Sequence, residues 1–363
     1  MMVESFIKSY VTEAPNEVSK KKVDHFDCFY KAANDVGIKI LTKKKKFKIF
    51  VFRGRKVGSA CDMVTNLTSR EARKICKDKR ETLLRLKEHG VDIPYSKAFE
   101  PKSDYDAAYK WFSQNKKREK GLVLKPSNGR AGKGISIGVR TPKEFEEAWL
   151  LAYNNLTTED GTILIEERLT GIDLRAIVVN GKFVCAATRL PAHVIGNGKN
   201  KVLELVHEKN LNRAKHAYYG PHPLNISKDI EQSYIPFDGE VFLVNNTSNI
   251  HQGGEALDLT EYVADSIKEL AERAASSIPG LGVSGVDLIL NESLTSGKVI
   301  EINTACNFMI HYYPYYGKSR NPAYDIFESM VKTPTPHKMI FENIGGSGSY
   351  LKRLMRYFYI LKF

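Results

Sequence analysis

The spacing of apolar residues predicts helices and strands along most of the chain. In the first 75 residues, DHFDCFYKAANDVGIKIL has the apolar spacing of a helix that runs into a short strand. Two β-prone runs, FKIFVF and VGSA, then flank a glycine turn and predict a hairpin. After it, Ser69 and Glu71 resemble a helix N-terminus, and the helical spacing continues as far as Gly90. We therefore expect one helix from residue 70 to residue 90.

The remainder of the chain alternates strand and helix patterns. Strands are predicted at GLVLKPS, ISIGV and GTILIEERL, with a helix at residues 141–155 that has proline in its first turn. Longer strands follow, interrupted by one helix, LTEYVADSIKELAERAASSI; they are LRAIVVN, KFVCAATRL, EVFLVN, GVDLILN and KVIEIN. These patterns predict a mixed sheet covered by helices, in a protein of the α+β class with α/β subdomains.

Composition limits the structural classes to which the protein can belong. The 363 residues are 42% hydrophobic and 27% charged, which is typical of a folded protein of two or three domains. No apolar stretch is long enough to span a bilayer and no signal pattern opens the chain, so we expect a cytoplasmic protein. The five cysteines form no C-x-x-C pair and are expected to be reduced.

The net charge of +13 favours an anionic partner. Nucleic acid, an acidic membrane surface, and phosphorylated or carboxylate small molecules all satisfy that condition. The lysine run at residues 43–46 has no interleaved aromatic residues on which bases could stack, so we expect no nucleic-acid partner. The basic aromatic tail at residues 336–363 could contact acidic lipid or dock as a terminal helix or strand.

A glycine-rich turn joins two predicted strands at LKPSNGRAGKGI, residues 124–135. Glycines let backbone N–H groups approach an anion closely, and successive amides form a concave anion nest, for which phosphate is a natural occupant. The sequence is neither the nucleotide P-loop nor the dinucleotide fingerprint, because a strand rather than a helix follows. A purely structural turn is the alternative.

Acidic residues lie on two predicted strands late in the chain. Asp287 is on the first strand, while Glu301 and Asn303 lie on the next. Because side chains alternate along a strand, Glu301 and Asn303 should share one face, with Ile300 and Ile302 in the core. Oxygen ligands of this kind suit magnesium that bridges nucleotide phosphates, whereas a satisfied structural carboxylate is the alternative reading.

A third stretch, ILIEERLTGIDLR at residues 163–175, leaves a strand through an acidic connector. Such a connector can present backbone groups and a carboxylate to an adenine edge. Taken in order, the three stretches resemble the ATP-grasp superfamily of carboxylate–amine ligases, and especially the ATP-grasp domains of bifunctional glutathione synthetase and cyanophycin synthetase. Further support comes from NNTSNIHQGG and VIEINTACNFMIHYYPYYGKSR, so that the resemblance covers about residues 75–325.

The resemblance implies a fold and a division of the chain. ATP would lie between two α+β subdomains, preceded by a small N-terminal pre-ATP-grasp region. The expected parts are the N-terminal region at 1–75, a subdomain with the phosphate loop at 76–165, a C-terminal subdomain with the adenine connector and magnesium site at 166–335, and the tail at 336–363.

The resemblance also implies an activity: amide-bond formation through an acyl phosphate, on an amino acid or short peptide. The positive net charge favours an acidic substrate. ATP and two magnesium ions would be required, and a homodimer is common among such enzymes. Two alternatives stay open, an ATP-grasp kinase that stops at phosphoryl transfer and a basic anion-binding module without catalysis.

The resemblance further assigns roles to individual residues. The expected phosphate ligands are Lys79, Lys125 and the loop residues Asn128, Gly129, Gly132 and Gly134. The expected adenine and ribose ligands are Glu166, Glu167, Leu169 and Asp173. Asp287, Glu301 and Asn303 would bind magnesium, while Arg189 and Asn249 would face the γ-phosphate and the acyl phosphate.

A last group of residues is expected to line the substrate site: Arg175, His311, Tyr313 and Arg320. Arg175 could instead form a structural ion pair, and the other three could belong to an aromatic-packed loop. The histidines show no pairing with a nucleophile, so no Ser-His-Asp or Cys-His mechanism is expected.

Overall fold

The computed structural model describes residues 2–16, 21–44, 46–129, 132–245 and 247–333. The predicted tail at 336–363 lies outside the described residues. The described part contains α-helices at α1 (Met2–Tyr10), α2 (His25–Val36), α3 (Arg70–Lys77), α4 (Lys79–Glu88), α5 (Tyr105–Gln114), α6 (Pro142–Tyr153), α7 (Val202–Ala214), α8 (Asp265–Ser276), α9 (Met309–Tyr312) and α10 (Ala323–Lys332). Short 3-10 helices occupy Lys116–Lys120 and Ile250–Gln252.

The strands pair into four sheets. They are β1 (Ile38–Lys44), β2 (Phe47–Phe52), β3 (Arg55–Cys61), β4 (Val64–Thr65), β5 (Ser96–Phe99), β6 (Leu122–Pro126), β7 (Ser136–Val139), β8 (Ile163–Glu167), β9 (Ile172–Val179), β10 (Lys182–Leu190), β11 (His193–Ile195), β12 (Val241–Leu243), β13 (Glu255–Asp258), β14 (Val283–Leu290) and β15 (Gly297–Asn303).

The N-terminal region confirms the predicted helix, strand and hairpin. Asp24 caps α2 by accepting from the Asp27 N–H, and Asp27 returns the bond in a capping box. Strands β1 to β4 follow in order in one antiparallel sheet. Phe29 of α2 stacks on Phe50 of β2, and both rings contact Phe327 of α10. This small sheet is therefore joined to the main core rather than separate from it.

The single helix predicted from residue 70 to residue 90 is wrong. It is two helices, α3 and α4, which meet at Asp78. The Asp78 carboxylate accepts hydrogen bonds from the N–H groups of Arg80 and Glu81 and so caps α4. The Lys79 N–H, which would continue the first helix, donates to the Ser127 carbonyl at 2.7 Å. The break places Lys79 at the start of α4, next to the end of β6.

Two antiparallel sheets form the centre of the described structure. The first has the order β5-β8-β6-β7 and packs on α5 and α6 around Phe112, Phe145 and Trp149. The second has the order β13-β10-β9-β14-β15 and packs on α8. The expected mixed sheet is wrong, because every described pair of named strands is antiparallel. Helices and antiparallel sheets confirm the α+β class.

A small subdomain lies between β10 and β13 in the chain. It contains the two-stranded sheet β11-β12 and the helix α7. Val194, Val202, Leu224 and Val244 form its own apolar cluster. In the sequence, EVFLVN predicted a strand of the central sheet, but β12 pairs with β11 instead. Among the residues that the structure describes, no helix has the length and apolar character needed to cross a bilayer.

The glycine turn before β6 should be sensitive to substitution. Gly121 has φ +82°, and a Cβ there would lie 2.5 Å from the Gly138 Cα of β7. Gly54, in the β2–β3 turn, has φ +77°, but a Cβ there would meet no described atom within 4 Å. Gly54→Ala should therefore lower the free energy of unfolding by about 1 kcal/mol, from the left-handed backbone alone. Gly121→Ala should lower it by about 2 kcal/mol more, because backbone must move.

Urea unfolding at equilibrium measures both values. Equal losses for the two variants would contradict the close packing of β6 on β7.

Candidate active site

A cleft of about 450 Å³ lies between the two central sheets. Three parts of the chain line it: the start of α4, the glycine-rich turn after β6, and the strands β9, β10, β14 and β15. The lining residues are Lys79, Pro126, Gly129, Gly132, Lys133, Ile135, Asp173, Arg175, Arg189, Asp287, Ile300, Glu301 and Asn303. All three stretches singled out in the sequence therefore contribute to one cavity.

Lys79 connects two walls of the cleft. Its Nζ lies 3.3 Å from Glu301 Oε1 on β15 and donates to the Gly129 carbonyl at 3.1 Å. The α3–α4 break sets this position, because a continuous helix would have no terminus here. The ammonium group thus ties the glycine-rich turn to the acidic strand.

Arg175 and Asp287 form a two-bond ion pair at the floor of the cleft. Arg175 Nε donates to Oδ1 at 2.7 Å, and the second guanidinium nitrogen donates to Oδ2 at 2.6 Å. Asn303 Nδ2 donates to the same Oδ2 at 3.0 Å. Burial raises the pKa of Asp287, and Arg175 opposes that rise. Arg175 therefore forms an ion pair, which is the alternative that the sequence left open, and it also lines the cleft.

A β-bulge sets the orientation of residues on β15. Asp287 pairs with Glu301, yet Leu288 pairs with Val299, so Ile300 has no partner on β14. Glu301 and Asn303 both line the cleft, as the strand alternation predicted. Ile302 is buried, but Ile300 lines the cleft, so the expectation that Ile300 lies in the core is wrong. The bulge is the physical reason.

Arg189 on β10 and Asp173 on β9 form a third ion pair in the cleft. The Arg189 guanidinium donates to Asp173 Oδ2 through Nε at 3.2 Å and through a terminal nitrogen at 2.5 Å. Both side chains are about one-third exposed, so the pair is open to solvent and to ligands. Each of the three carboxylates in the cleft thus has its own cation.

The oxygen donors of the cleft fit a magnesium ion held jointly with phosphate. Asp287, Glu301 and Asn303 supply carboxylate and amide oxygens, the ligands that magnesium takes. Within the described ranges, no three side chains of His, Cys, Asp or Glu come together as a metal cluster. The protein alone would therefore leave the coordination sphere incomplete, as is usual for magnesium that also binds substrate phosphates.

Lys125 and Glu166 lie behind the cleft rather than on its wall. The two side chains are less than a tenth exposed and pair at 2.7 Å across neighbouring strands β6 and β8. Glu166 Oε1 is buried with no hydrogen-bond partner in the described structure. An unsatisfied buried acceptor is costly, so this oxygen fits a ligand that donates a hydrogen bond, such as an adenine amino group.

Glu167 is held by cations on both sides. Its carboxylate accepts from Lys117, Lys298 and the Tyr95 backbone N–H. Burial alone would raise the pKa of Glu167, but these three hydrogen bonds outweigh it and lower the pKa to about 2. The side chain therefore ties β8 to β15, and the Glu167 N–H donates to the Tyr95 carbonyl at 2.9 Å. A contact of Glu167 and Leu169 with adenine remains a prediction.

Three further predicted residues do not line the cleft. Asn128 bonds through its side chain to the Thr157 N–H and to Thr158, so it ties the glycine-rich turn to the loop after α6. Gly134 packs its backbone against Pro126 and Asn155. Asn249 caps the 3-10 helix by accepting from the His251 N–H, with its side chain exposed.

The three other residues predicted for the substrate lie elsewhere in contacts that hold the fold. His311 is buried against Cys185, and burial lowers its pKa to about 3. The Tyr313 hydroxyl donates to the Lys21 carbonyl, and Arg320 pairs with Asp258 and Glu261. These contacts match the aromatic-packed loop that the sequence left open as the alternative.

Four cleft residues were not assigned a role from the sequence: Pro126, Lys133, Ile135 and Ile300. The lysine in the glycine-rich turn is a signal that could have identified Lys133. No sequence signal marked Ile300, because the bulge that turns it toward the cleft depends on pairing with β14.

Comparison with known proteins identifies relatives of this chain. Residues 76–306 match the family model of the ATP-grasp domain. Cyanophycin synthetase from Geminocystis herdmanii (strain PCC 6308) is 31% identical over 234 residues, which are 60% of this chain and 26% of the relative. The glutathione biosynthesis bifunctional protein GshAB from Clostridium perfringens is 30% identical over 262 residues, 67% of this chain and 32% of the relative.

A solved structure shares the fold. A bifunctional glutathione synthetase from Pasteurella multocida superposes with a TM-score of 0.63 and 24% identity, over 84% of this chain and 43% of that chain. The chain spans between about a quarter and a third of the length of the curated relatives named above.

The Glu167 ion pairs should make stability depend on pH. A carboxylate with a lowered folded-state pKa stabilises the fold above its unfolded pKa, and loses that effect as pH falls toward 2. Glu167→Gln should lower the free energy of unfolding by about 2 kcal/mol at pH 7, with a smaller loss below pH 4. Denaturant unfolding from pH 7 to pH 3 measures it. A loss that stays constant over this range would refute the ion-pair origin.

Proposed function

The chain belongs to the ATP-grasp domain family, and on that premise we propose that it is an ATP-dependent carboxylate–amine ligase. The observation that supports this most is the charge arrangement of one cleft. Three carboxylates and one amide face four cations there, with a glycine-rich turn above them. A polyanion with bound magnesium matches that arrangement, because it needs cations for its oxygens and carboxylates for its metal.

Different residues would contact the phosphates, the adenine and the ribose of the nucleotide. Lys79 and the glycine-rich turn would bind the phosphates, since both lie in the cleft. Glu166 would lie beside the adenine, with its Oε1 accepting from the amino group, and Lys125, which pairs with Glu166, would contact a phosphate oxygen. Asp173 would reach the ribose on releasing Arg189. Asn128, Gly134 and Asn249 would act by shaping the loops around the cleft, because their contacts are with protein.

Magnesium would be held by Asp287, Glu301 and Asn303. When bound, it supplies positive charge to the terminal phosphates. If Glu301 serves as a metal ligand, Lys79 would leave the 3.3 Å ion pair and its ammonium group would donate to a phosphate oxygen. Lys79–Glu301 and Arg189–Asp173 would thus exchange partners rather than leave charges unpaired, while Asp287 would keep its contact with Arg175.

The reaction needs activation of a carboxylate, which is a poor electrophile at neutral pH. The substrate carboxylate oxygen would attack the γ-phosphorus, and the bond from that phosphorus to the β-phosphate oxygen would break to give an acyl phosphate and ADP. An amine would then add to the carbonyl carbon, lose a proton and expel inorganic phosphate. Arg189, one-third exposed at the cleft, would stabilise the oxyanion of both steps.

The substrates are proposed by class. The relatives are named for cyanophycin and glutathione biosynthesis, so we propose an amino acid or a short peptide as the carboxylate substrate. A net charge of +13 favours an acidic one. Cytoplasmic location and a homodimer remain predictions.

Activity should appear only when both co-substrates are present. Purified protein with Mg-ATP and a pool of amino acids, γ-glutamyl peptides and polyamines should release phosphate, and removal of either co-substrate should stop it. The product mass should equal the sum of the two co-substrates minus one water. Phosphate release and mass spectrometry measure these two quantities.

Variants test the assignment of the cleft residues. Arg189→Ala should reduce turnover at least a hundredfold, since it removes the proposed oxyanion donor, and Glu301→Ala should do so by removing a proposed metal ligand. Arg140→Ala, which removes an exposed side chain outside the cleft, is the matched control. Full activity of both cleft variants would contradict the assignment, and a phosphorylated acceptor without free phosphate would establish a kinase instead.

Lys133 should distinguish ATP from ADP. In the cleft, Lys79, Arg175 and Arg189 each pair with a carboxylate, but Lys133 has no described partner. Its charge is therefore available to the extra charge of the γ-phosphate. Lys133→Ala should weaken binding of a non-hydrolysable ATP analogue about tenfold and ADP less than twofold. Calorimetric titration measures both, with exposed Lys143→Ala as control. Equal losses for the two nucleotides would refute a γ-phosphate contact.

A further inference from the structure

A second and larger cavity, of about 880 Å³, lies away from the cleft and shares no lining residue with it. One wall is the N-terminal segment at residues 2–16, which contributes Ile7 and Val11. The opposite wall is the small subdomain between β10 and β13, which contributes Val194, Leu205 and Val241. The end of this segment is anchored, because the Asn16 side chain donates to the Pro314 carbonyl at 2.9 Å and to the Gly317 carbonyl at 2.7 Å. The walls are therefore formed and mainly apolar.

Behind Lys209, which lines this cavity, is a buried group of charges. Glu255 is fully buried and accepts from Lys209 Nζ at 2.9 Å and from an Arg213 guanidinium nitrogen at 3.0 Å. His193 is also fully buried, and burial together with Lys209 lowers its pKa to about 4, so it is neutral. Two cations and one anion leave a surplus of one positive charge.

The surplus charge is not cancelled within the described part of the chain. Arg213 is 1% exposed. A second nitrogen of its guanidinium group donates to the backbone carbonyl of His222, which carries no charge. The other charged side chains that line the cavity sum to zero, since there are two lysines, Lys8 and Lys215, and two glutamates, Glu13 and Glu208. A buried charge without a counter-ion is costly. An anion in the cavity would remove that cost.

Lys209 is the group that can reach such an anion. Its side chain is 14% exposed, whereas Arg213 and Glu255 are closed off. An ammonium group has three N–H donors, and Lys209 uses one on Glu255 and one on the His193 carbonyl. The third has no oxygen or nitrogen acceptor among the described residues, where the ammonium group otherwise lies 5.7 Å from the centre of the Tyr315 ring.

From this geometry we infer that the cavity is a second binding site, which takes a small carboxylate with an apolar body. The carboxylate accepts the third hydrogen bond of Lys209, and the apolar body contacts Ile7, Val194, Leu205 and Val241. The inference does not depend on the activity proposed for the cleft, since no residue is shared.

The test uses a matched pair of probes, 4-phenylbutyrate and its neutral amide, titrated into the whole protein by calorimetry. The acid should bind at least tenfold more tightly than the amide, because only the acid neutralises the surplus charge. Lys209→Met should remove this preference. Lys215→Met, at the C-terminal cap of α7 and also lining the cavity, is the control and should keep it.

A further variant tests the location of binding without altering the buried charges. Asn212 lines the cavity and is exposed on α7, so Asn212→Trp should fill the space and weaken both probes. Arg189→Ala, in the cleft, should change neither affinity. Equal affinity for the acid and amide, no binding at millimolar concentration, or loss of acid binding in Arg189→Ala would each overturn the inference.

Discussion

The candidate active site depends on one electrostatic constraint: three carboxylates face a single cleft, and each must have a cation. Asp287 is the most buried of them. Its negative charge lies between two core strands, where the two hydrogen bonds from Arg175 compensate it. Lys79 and Arg189 perform the same task for Glu301 and Asp173 at the more exposed edge. Removing one partner of a buried pair costs far more than the pair contributes, so these residues are tied to one another.

The same constraint connects the fold to the proposed chemistry. An ion pair at a partly open edge can exchange partners with a ligand at little net cost, whereas a buried pair resists exchange. Lys79–Glu301 and Arg189–Asp173 are of the first kind, and Arg175–Asp287 is closer to the second. The cleft thus has one ion pair that stays in place at its floor and two at its edge that can exchange partners. This arrangement suits the binding of a nucleotide together with its metal ion.

Away from the cleft, charge is organised differently. Glu255 joins the small subdomain to the central sheet through Lys209 and Arg213, and the surplus cation faces the larger cavity. Leu190, the register partner of Glu255, adjoins Arg189 on β10. Glu255 therefore lies on the strand next to Arg189, one register position away, although the two cavities share no lining residue.

The sequence by itself determined the α+β class, most of the described strands, about half of the described helices, and the stretches that line the cleft. Those signals are local: apolar periodicity, capping residues, a glycine-rich turn and alternation along β15. Only the tertiary structure decided where Lys79 lies, because Asp78 breaks the helix once Ser127 accepts the Lys79 N–H. It also turned Ile300 into the cleft through a bulge against β14, and directed His311, Tyr313 and Arg320 into packing contacts. Each outcome depends on partners far away in the chain, and local sequence patterns carry no information about such partners.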